Sequence, residues 1–158
     1  MSKRISSKVP ASFIEPMLCL STSSLPEGEG WEYELKLDGY RAVAIKTGGS
    51  VQLRSRNDKD FSARLPLIVM GLAKLPSETV IDGELVAFDE SGKPSFNALQ
   101  NYASAHRIFY YVFDLLILEG RDVRSEPLAV LPNSPCTVLR LVPLRLLPLP
   151  RPSACPFS

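Results

Sequence analysis

Apolar positions along the chain recur with two periods. Trp31 to Leu35 forms a short run with strand character. Arg41-Ala-Val-Ala-Ile-Lys46 forms a second, rich in β-branched and small apolar residues. Thr47-Gly48-Gly49-Ser50 then reads as a turn, and Val51 to Arg54 as the returning strand of a hairpin. The period changes over Leu65 to Leu75, where apolar residues fall at helical spacing and Pro66 suits a first turn. Thr79 to Phe88 predicts another strand, followed by the turn Asp89-Glu-Ser-Gly-Lys93. Ser95 to Ala105 predicts a short helix with Ser95 as N-cap. Phe109 to Leu118 is apolar and aromatic throughout, the pattern of a buried strand. Strands joined through hairpins, with a few helices between them, define an α+β chain.

This alternation stops after Leu128. Seven of the 14 prolines lie from Pro132 onward, and the last acidic residue is Glu126. Proline at this density removes backbone donors and interrupts both helix and strand, so residues 129–158 predict an irregular Pro/Leu/Arg-rich tail. Such a tail reads as translation in a shifted frame more readily than as a proline-rich interaction segment, because it has no regular repeat. Residues 1–14 are expected to form a flexible N-terminus and residues 15–128 a partial domain.

Composition alters this picture little. The chain has 158 residues, 45% hydrophobic and 22% charged, which is globular and not disordered. A formal net charge of +1 excludes a bulk polycation but allows a local basic stripe. Three scattered cysteines make neither a disulfide framework nor a zinc site. The N-terminal residues carry charge without an apolar run behind it, and the leucine-rich end is interrupted by Arg140, Pro143, Arg145 and Pro148. A cytoplasmic protein without a membrane span is therefore expected.

Candidate chemistry begins at Lys36-Leu-Asp-Gly-Tyr-Arg41. Lysine becomes a nucleophile only when its amine is deprotonated, and glycine lets the backbone approach a neighbour closely. Taken alone, the tetrapeptide Lys36-Leu-Asp-Gly39 reads better as an exposed lysine beside a turn, since Lys-x-Asp-Gly occurs by chance in many proteins. Arg54-Ser-Arg-Asn57 follows the hairpin. Ile81-Asp-Gly-Glu84 lies in the third strand and Tyr110-Tyr-Val-Phe113-Asp114 in the last. Asp38 and Asp82 are expected to fix turns through side-chain-to-backbone bonds. His106 reads as a loop residue, and Tyr40, Tyr102, Tyr110 and Tyr111 as packing residues.

In this order the four motifs resemble the adenylation domain of ATP-dependent DNA ligases, with Leu25-Pro-Glu-Gly-Glu-Gly-Trp31 pointing to the bacterial ligase-D type of end joining. The resemblance runs from about Glu15 to Leu128. It implies an antiparallel-sheet nucleotidyltransferase fold of ATP-grasp-like kind, ATP as nucleotide, and Mg2+ or Mn2+ as metal. It also implies nicked or broken double-stranded DNA and end-joining repair proteins as partners, in a bacterial, nucleoid-associated setting. By position, Lys36 would carry AMP and Glu34 would recognise adenine. Arg41 and Arg56 would contact ribose and phosphates or the DNA end. Glu84 would hold the ribose or support a metal, and Phe113 would stack on adenine.

The family's later motifs, a Glu-Gly followed by aliphatic residues and a Lys-x-Lys, are not found. Glu119-Gly120 runs into polar Arg121-Asp122 instead. Nor is there room for the OB-fold that follows in the family. The expectation is a ligase-family chain that is inactive, or nearly so, alone. RNA ligases and capping enzymes share the lysine motif, and a folded remnant or nucleotide-binding module is the non-enzyme alternative.

Overall fold

The structure, a computed structural model, describes residues 8–28, 37–101 and 107–126. Five strands form one sheet in the order β2-β1-β3-β4-β5, antiparallel at every junction. They are β1 Tyr40–Thr47, β2 Ser50–Ser55, β3 Thr79–Ala87, β4 Ile108–Leu118 and β5 Arg121–Asp122. Two helices, α1 Pro66–Leu72 and α2 Phe96–Gln100, complete the described α+β fold. The hairpin predicted across Gly48-Gly49 is present, with Thr47 opposite Ser50. The strands predicted over Thr79–Phe88 and Phe109–Leu118 match β3 and β4 to within a residue. Glu119-Gly120 is the turn between β4 and β5.

Alternation along the strands gives the sheet two different faces. Ala42, Ala44, Leu53, Ile81, Leu85, Tyr110 and Leu115 point to the main core. There they meet Leu65, Ile68, Leu72 and Leu75, which lie on one side of α1 and its flanks, and Leu99 of α2. α1 stops at Leu72, sooner than the apolar spacing to Leu75 predicts, although Leu75 still packs in the core. In α2 the Ser95 hydroxyl accepts the Ala98 N–H at 3.2 Å, the expected N-cap. The last part of the helix predicted to reach Ala105 lies outside the described residues, as do Tyr102 and His106.

Val43, Ile45, Val80, Leu116 and Ile117 form a second apolar cluster with Ala11, and Phe13 and Ile14 pack against it. Residues 8–14 are held there by two long-range bonds. The Val9 N–H donates to the Gly120 carbonyl, and the Ala11 N–H to the Glu78 carboxylate, each at 2.7 Å. The expectation of a flexible N-terminus is thus corrected for residues 8–14. Ala11, Phe13 and Ile14 supply the apolar surface that packs on Val43, Ile45 and Val80 of β1 and β3.

Two glycines set the spacing of the central strands. A Cβ at Gly83 would lie 2.3 Å from the Tyr111 carbonyl oxygen and 2.8 Å from Cε2 of Tyr110. The Tyr110 ring uses that gap to cross β3, and its hydroxyl donates to the Ala42 carbonyl of β1 at 2.7 Å. One buried side chain therefore ties β4 to β1 across the strand between them. Burial raises the Tyr110 pKa well above the ordinary phenol range.

Gly83→Ala is expected to destabilise the fold by about 1–3 kcal/mol through overpacking against backbone and ring. Tyr110→Phe, which strands the Ala42 carbonyl without its side-chain donor, is expected to cost about 1–2 kcal/mol. Urea unfolding checks both. Because both variants act on one contact, the double variant should fall short of the sum of the two costs.

Candidate functional site

The second face of the sheet changes character along its length. Toward the start of β1 the apolar cluster gives way to charged residues. Arg41 sits opposite Glu84 in the β1–β3 register, and Asp82 sits opposite Val43, diagonal to Arg41 on the same face. The Arg41 guanidinium reaches across this diagonal and donates Nε to Asp82 Oδ1 at 2.9 Å and Nη2 to Oδ2 at 2.7 Å. The geometry is a two-pronged arginine–carboxylate pair. The Asp82 side chain is 2% exposed and that of Arg41 27%. The hydrogen bond to Asp82 raises the Arg41 pKa against the opposing effect of burial, so the guanidinium stays charged.

The same guanidinium lies over the Phe113 ring, 4.4 Å from its centroid. Phe113 reaches this position through a β-bulge. Val112 pairs with Gly83 and Asp114 with Asp82, so Phe113 is an extra residue in β4 with no partner of its own in β3. Asp114 follows directly, and its carboxylate accepts the Leu115 N–H at 2.9 Å. Although Asp114 is exposed, partial desolvation of its carboxylate, followed by the nearby Asp82 charge, raises its pKa, while the bond from Leu115 and the Arg41 charge oppose this.

A groove of about 460 Å³ opens beside this cluster. Gly39, Tyr40 and Arg41 line it from β1, and Glu84 from β3. Ser55 lines it from the end of β2, and Arg56, Asn57 and Lys59 from the loop that follows, with Leu18 and Phe61 as apolar wall. Its size is within the range of small-ligand sites. A Cβ at Gly39 would lie 2.0 Å from the Leu85 carbonyl oxygen and 3.0 Å from Cγ of Glu84. The glycine of the Lys36-Leu-Asp-Gly39 motif is thus required by close packing on β3, which keeps the chain entering β1 against the strand that carries Glu84.

Three of the six expected site residues, Arg41, Arg56 and Glu84, come together in this groove although they are far apart in sequence. Phe113 adjoins it through Arg41 and does not line it. Lys36 and Glu34 lie outside the described residues. The expected turn-fixing role of Asp82 is corrected: it is a mid-strand residue and its carboxylate binds Arg41. Asp38 is exposed and makes no side-chain hydrogen bond among the described residues. Lys59 in the groove was not anticipated, although its place three residues after Arg56 was a visible signal.

Among the described residues no three Asp, Glu, His or Cys side chains gather as a metal site. Glu84 by itself supplies one carboxylate, fewer oxygens than magnesium or manganese takes.

Removing either member of the Arg41–Asp82 pair is expected to have unequal effects. Arg41→Ala leaves a carboxylate buried without its cation, an expected loss of about 3–5 kcal/mol. Asp82→Ala should cost less, about 1–2 kcal/mol, because the partly exposed guanidinium can turn toward water. Chemical denaturation of both variants measures the asymmetry. Asp114 yields a pH prediction. An acid whose folded pKa is raised penalises the fold at high pH, and the penalty is relieved as pH falls through that pKa. Asp114→Asn keeps an oxygen for Leu115 and removes the penalty. It should raise stability slightly at neutral pH, with the gain vanishing as pH falls below the ordinary aspartate range.

A family model described as the ATP dependent DNA ligase domain matches residues 16–131. The multifunctional non-homologous end joining protein LigD of Pseudomonas aeruginosa is 44% identical over 120 residues, 73% of this chain and 14% of that protein. The SPbeta prophage-derived DNA ligase-like protein LigB of Bacillus subtilis is 32% identical over 120 residues, 73% of this chain and 44% of that protein. The chain thus spans a minor part of the length of these relatives. The solved ligase domain of Mycobacterium tuberculosis LigD is 40% identical, with a TM-score of 0.48 over 56% of this chain and 30% of that one. A mycobacterial DNA ligase D complexed with ATP and MES gives 40% identity and a TM-score of 0.47 over the same shares. The match across residues 16–131 contains every motif from the lysine to the bulged phenylalanine, and the chain belongs to the ATP-dependent DNA ligase domain family.

Proposed function

We propose that this chain carries the nucleotide-accepting part of an ATP-dependent DNA ligase, with Lys36 as the residue that takes AMP. The observation that supports this reading most strongly is the convergence of Arg41, Arg56 and Glu84 on one groove. Two cations and a carboxylate suit a nucleotide. The arginines offset phosphate charge, and the carboxylate accepts hydrogen bonds from ribose hydroxyls. In this reading Glu34 selects adenine. Phe113 is the residue proposed to stack on the base, and the Arg41 guanidinium over its ring ties it to the groove.

The chemistry proposed is group transfer. The neutral Lys36 amine attacks the α-phosphorus, a nitrogen–phosphorus bond forms, and pyrophosphate departs with the electron pair of the broken bond. The amine sheds a proton in the same step. AMP then passes to a DNA 5′-phosphate, and a 3′-hydroxyl displaces it to join the strands. A nicked or broken duplex is the proposed DNA partner. End joining is the proposed setting, because the Pseudomonas relative bears that description.

The groove holds part of the groups that such chemistry needs. Missing one positioned electrostatic group costs a factor of roughly 10²–10³ in rate. Self-labelling by this chain alone is therefore expected to be slow, and nick sealing undetectable.

Incubation with α-labelled ATP and magnesium, resolved on a denaturing gel, tests the proposal. Lys36-dependent label that is lost in Lys36→Ala is the expected result. Label that persists in Lys36→Ala would remove Lys36 from the role. Absence of label, with a melting temperature that ATP does not move, would favour the folded remnant.

A further inference from the structure

The loop after β2 sorts its charges in a way that none of the motifs conveys. With the last two residues of β2 it reads Arg54-Ser-Arg56-Asn-Asp58-Lys59-Asp60, three cations and two acids. In the fold, Arg54 engages both acids. Its Nε donates to Asp58 Oδ1 at 2.8 Å, and its Nη1 lies 3.8 Å from Asp60 Oδ2. Asp60 also accepts the Ser62 N–H at 2.7 Å, and the bonds from Ser62 lower its pKa. Arg56 and Lys59 make no ion pair among the described residues, and both line the groove.

The loop backbone holds this arrangement. Ser55 Oγ accepts the Lys59 N–H at 3.0 Å, the Ser55 N–H donates to the Lys59 carbonyl at 2.8 Å, and Asp58 adopts φ 57° between them. Ser55 and Lys59 therefore close a tight loop, and Arg56 and Lys59 both line the groove from it. Arg54 thus engages both acids, neither of which lines the groove, and Arg56 and Lys59 share its lining with Arg41.

We propose that Lys59 is a further phosphate-binding residue of this groove, which closes with Arg56 on one phosphate group. The phosphate belongs either to the nucleotide or to the 5′ end of the DNA. The terminal phosphate of ATP and the 5′-phosphomonoester of DNA both offer a tetrahedral dianion, which a pair of cations recognises. The inference rests on the groove being the phosphate-binding face proposed above. Its test reads binding and not labelling at Lys36, so the two readings can fail separately.

The test compares Lys59→Gln with the unmodified chain in two pairs of ligands. Calorimetry measures ATP against adenosine. Fluorescence anisotropy measures a nicked duplex with a 5′-phosphate against one with a 5′-hydroxyl. Lys59→Gln is expected to lose roughly tenfold in affinity for the phosphate-bearing member of one pair. The member without phosphate should be unaffected, and Lys59→Arg should retain most of the affinity. A loss confined to ATP assigns the nucleotide. A loss confined to the 5′-phosphate nick assigns the DNA end, with the slope of log affinity against log salt falling by about one. The proposal is overturned if Lys59→Gln binds every ligand like the unmodified chain, or weakens both members of a pair equally. It is also overturned if Lys74→Gln, an equal charge change outside the groove, produces the same loss, or if the unmodified chain prefers neither phosphate-bearing ligand.

Discussion

The contact on which the rest of this structure depends is the crossing of Tyr110 over Gly83. It ties β4 to β1 through the strand between them, and it exists because β3 offers no Cβ at that point. The same place in the β3–β4 pairing carries the bulge that inserts Phe113. Without the extra residue, the side chains of β4 beyond Val112 would alternate in a different phase, and Phe113 would not meet Arg41. The Asp-Gly-Glu motif of β3 thus has three distinct physical tasks. Asp82 anchors Arg41, Gly83 admits Tyr110, and Glu84 faces the groove.

Gly39 repeats the principle at the other motif. Its backbone lies against Leu85 so closely that any side chain would collide with a carbonyl. Gly39 is therefore a packing requirement where the chain enters β1 against β3, and Gly83 one of the β3–β4 pair, while the β1–β3 register sets Arg41 opposite Glu84. The charged end of this face depends on the apolar end as well. The segment 8–14 covers Val43, Ile45, Val80 and Ile117, which leaves polar residues of the same face as the open part.

Much of this was legible in the sequence. The hairpin, β3, β4 and the Ser95 cap follow from period, turn residues and capping chemistry, which are local. Arg41, Arg56 and Glu84 were identifiable by motif order, and the fold gathers them in one groove. The features that were not legible depend on register. Asp82 read as a turn residue because nothing local says that it stands diagonal to Arg41. The Phe113 bulge depends on how two distant strands align. Residues 8–14 looked flexible because their partners, Gly120 and Glu78, are remote in the chain. Lys59 looked like one charge in an alternating run, since only the folded loop shows which cation Arg54 is and which acids it engages.

The central claim is that the open, charged end of the sheet is where nucleotide binds. Backbone amide chemical-shift mapping during titration with a non-hydrolysable ATP analogue tests it without any chemical step. The largest shifts are expected at Gly39, Arg41, Arg56 and Glu84, with Phe113 following and Val80 and Ile117 at the covered end unchanged. Shifts concentrated at the covered end or on α1, with the groove silent, would contradict it.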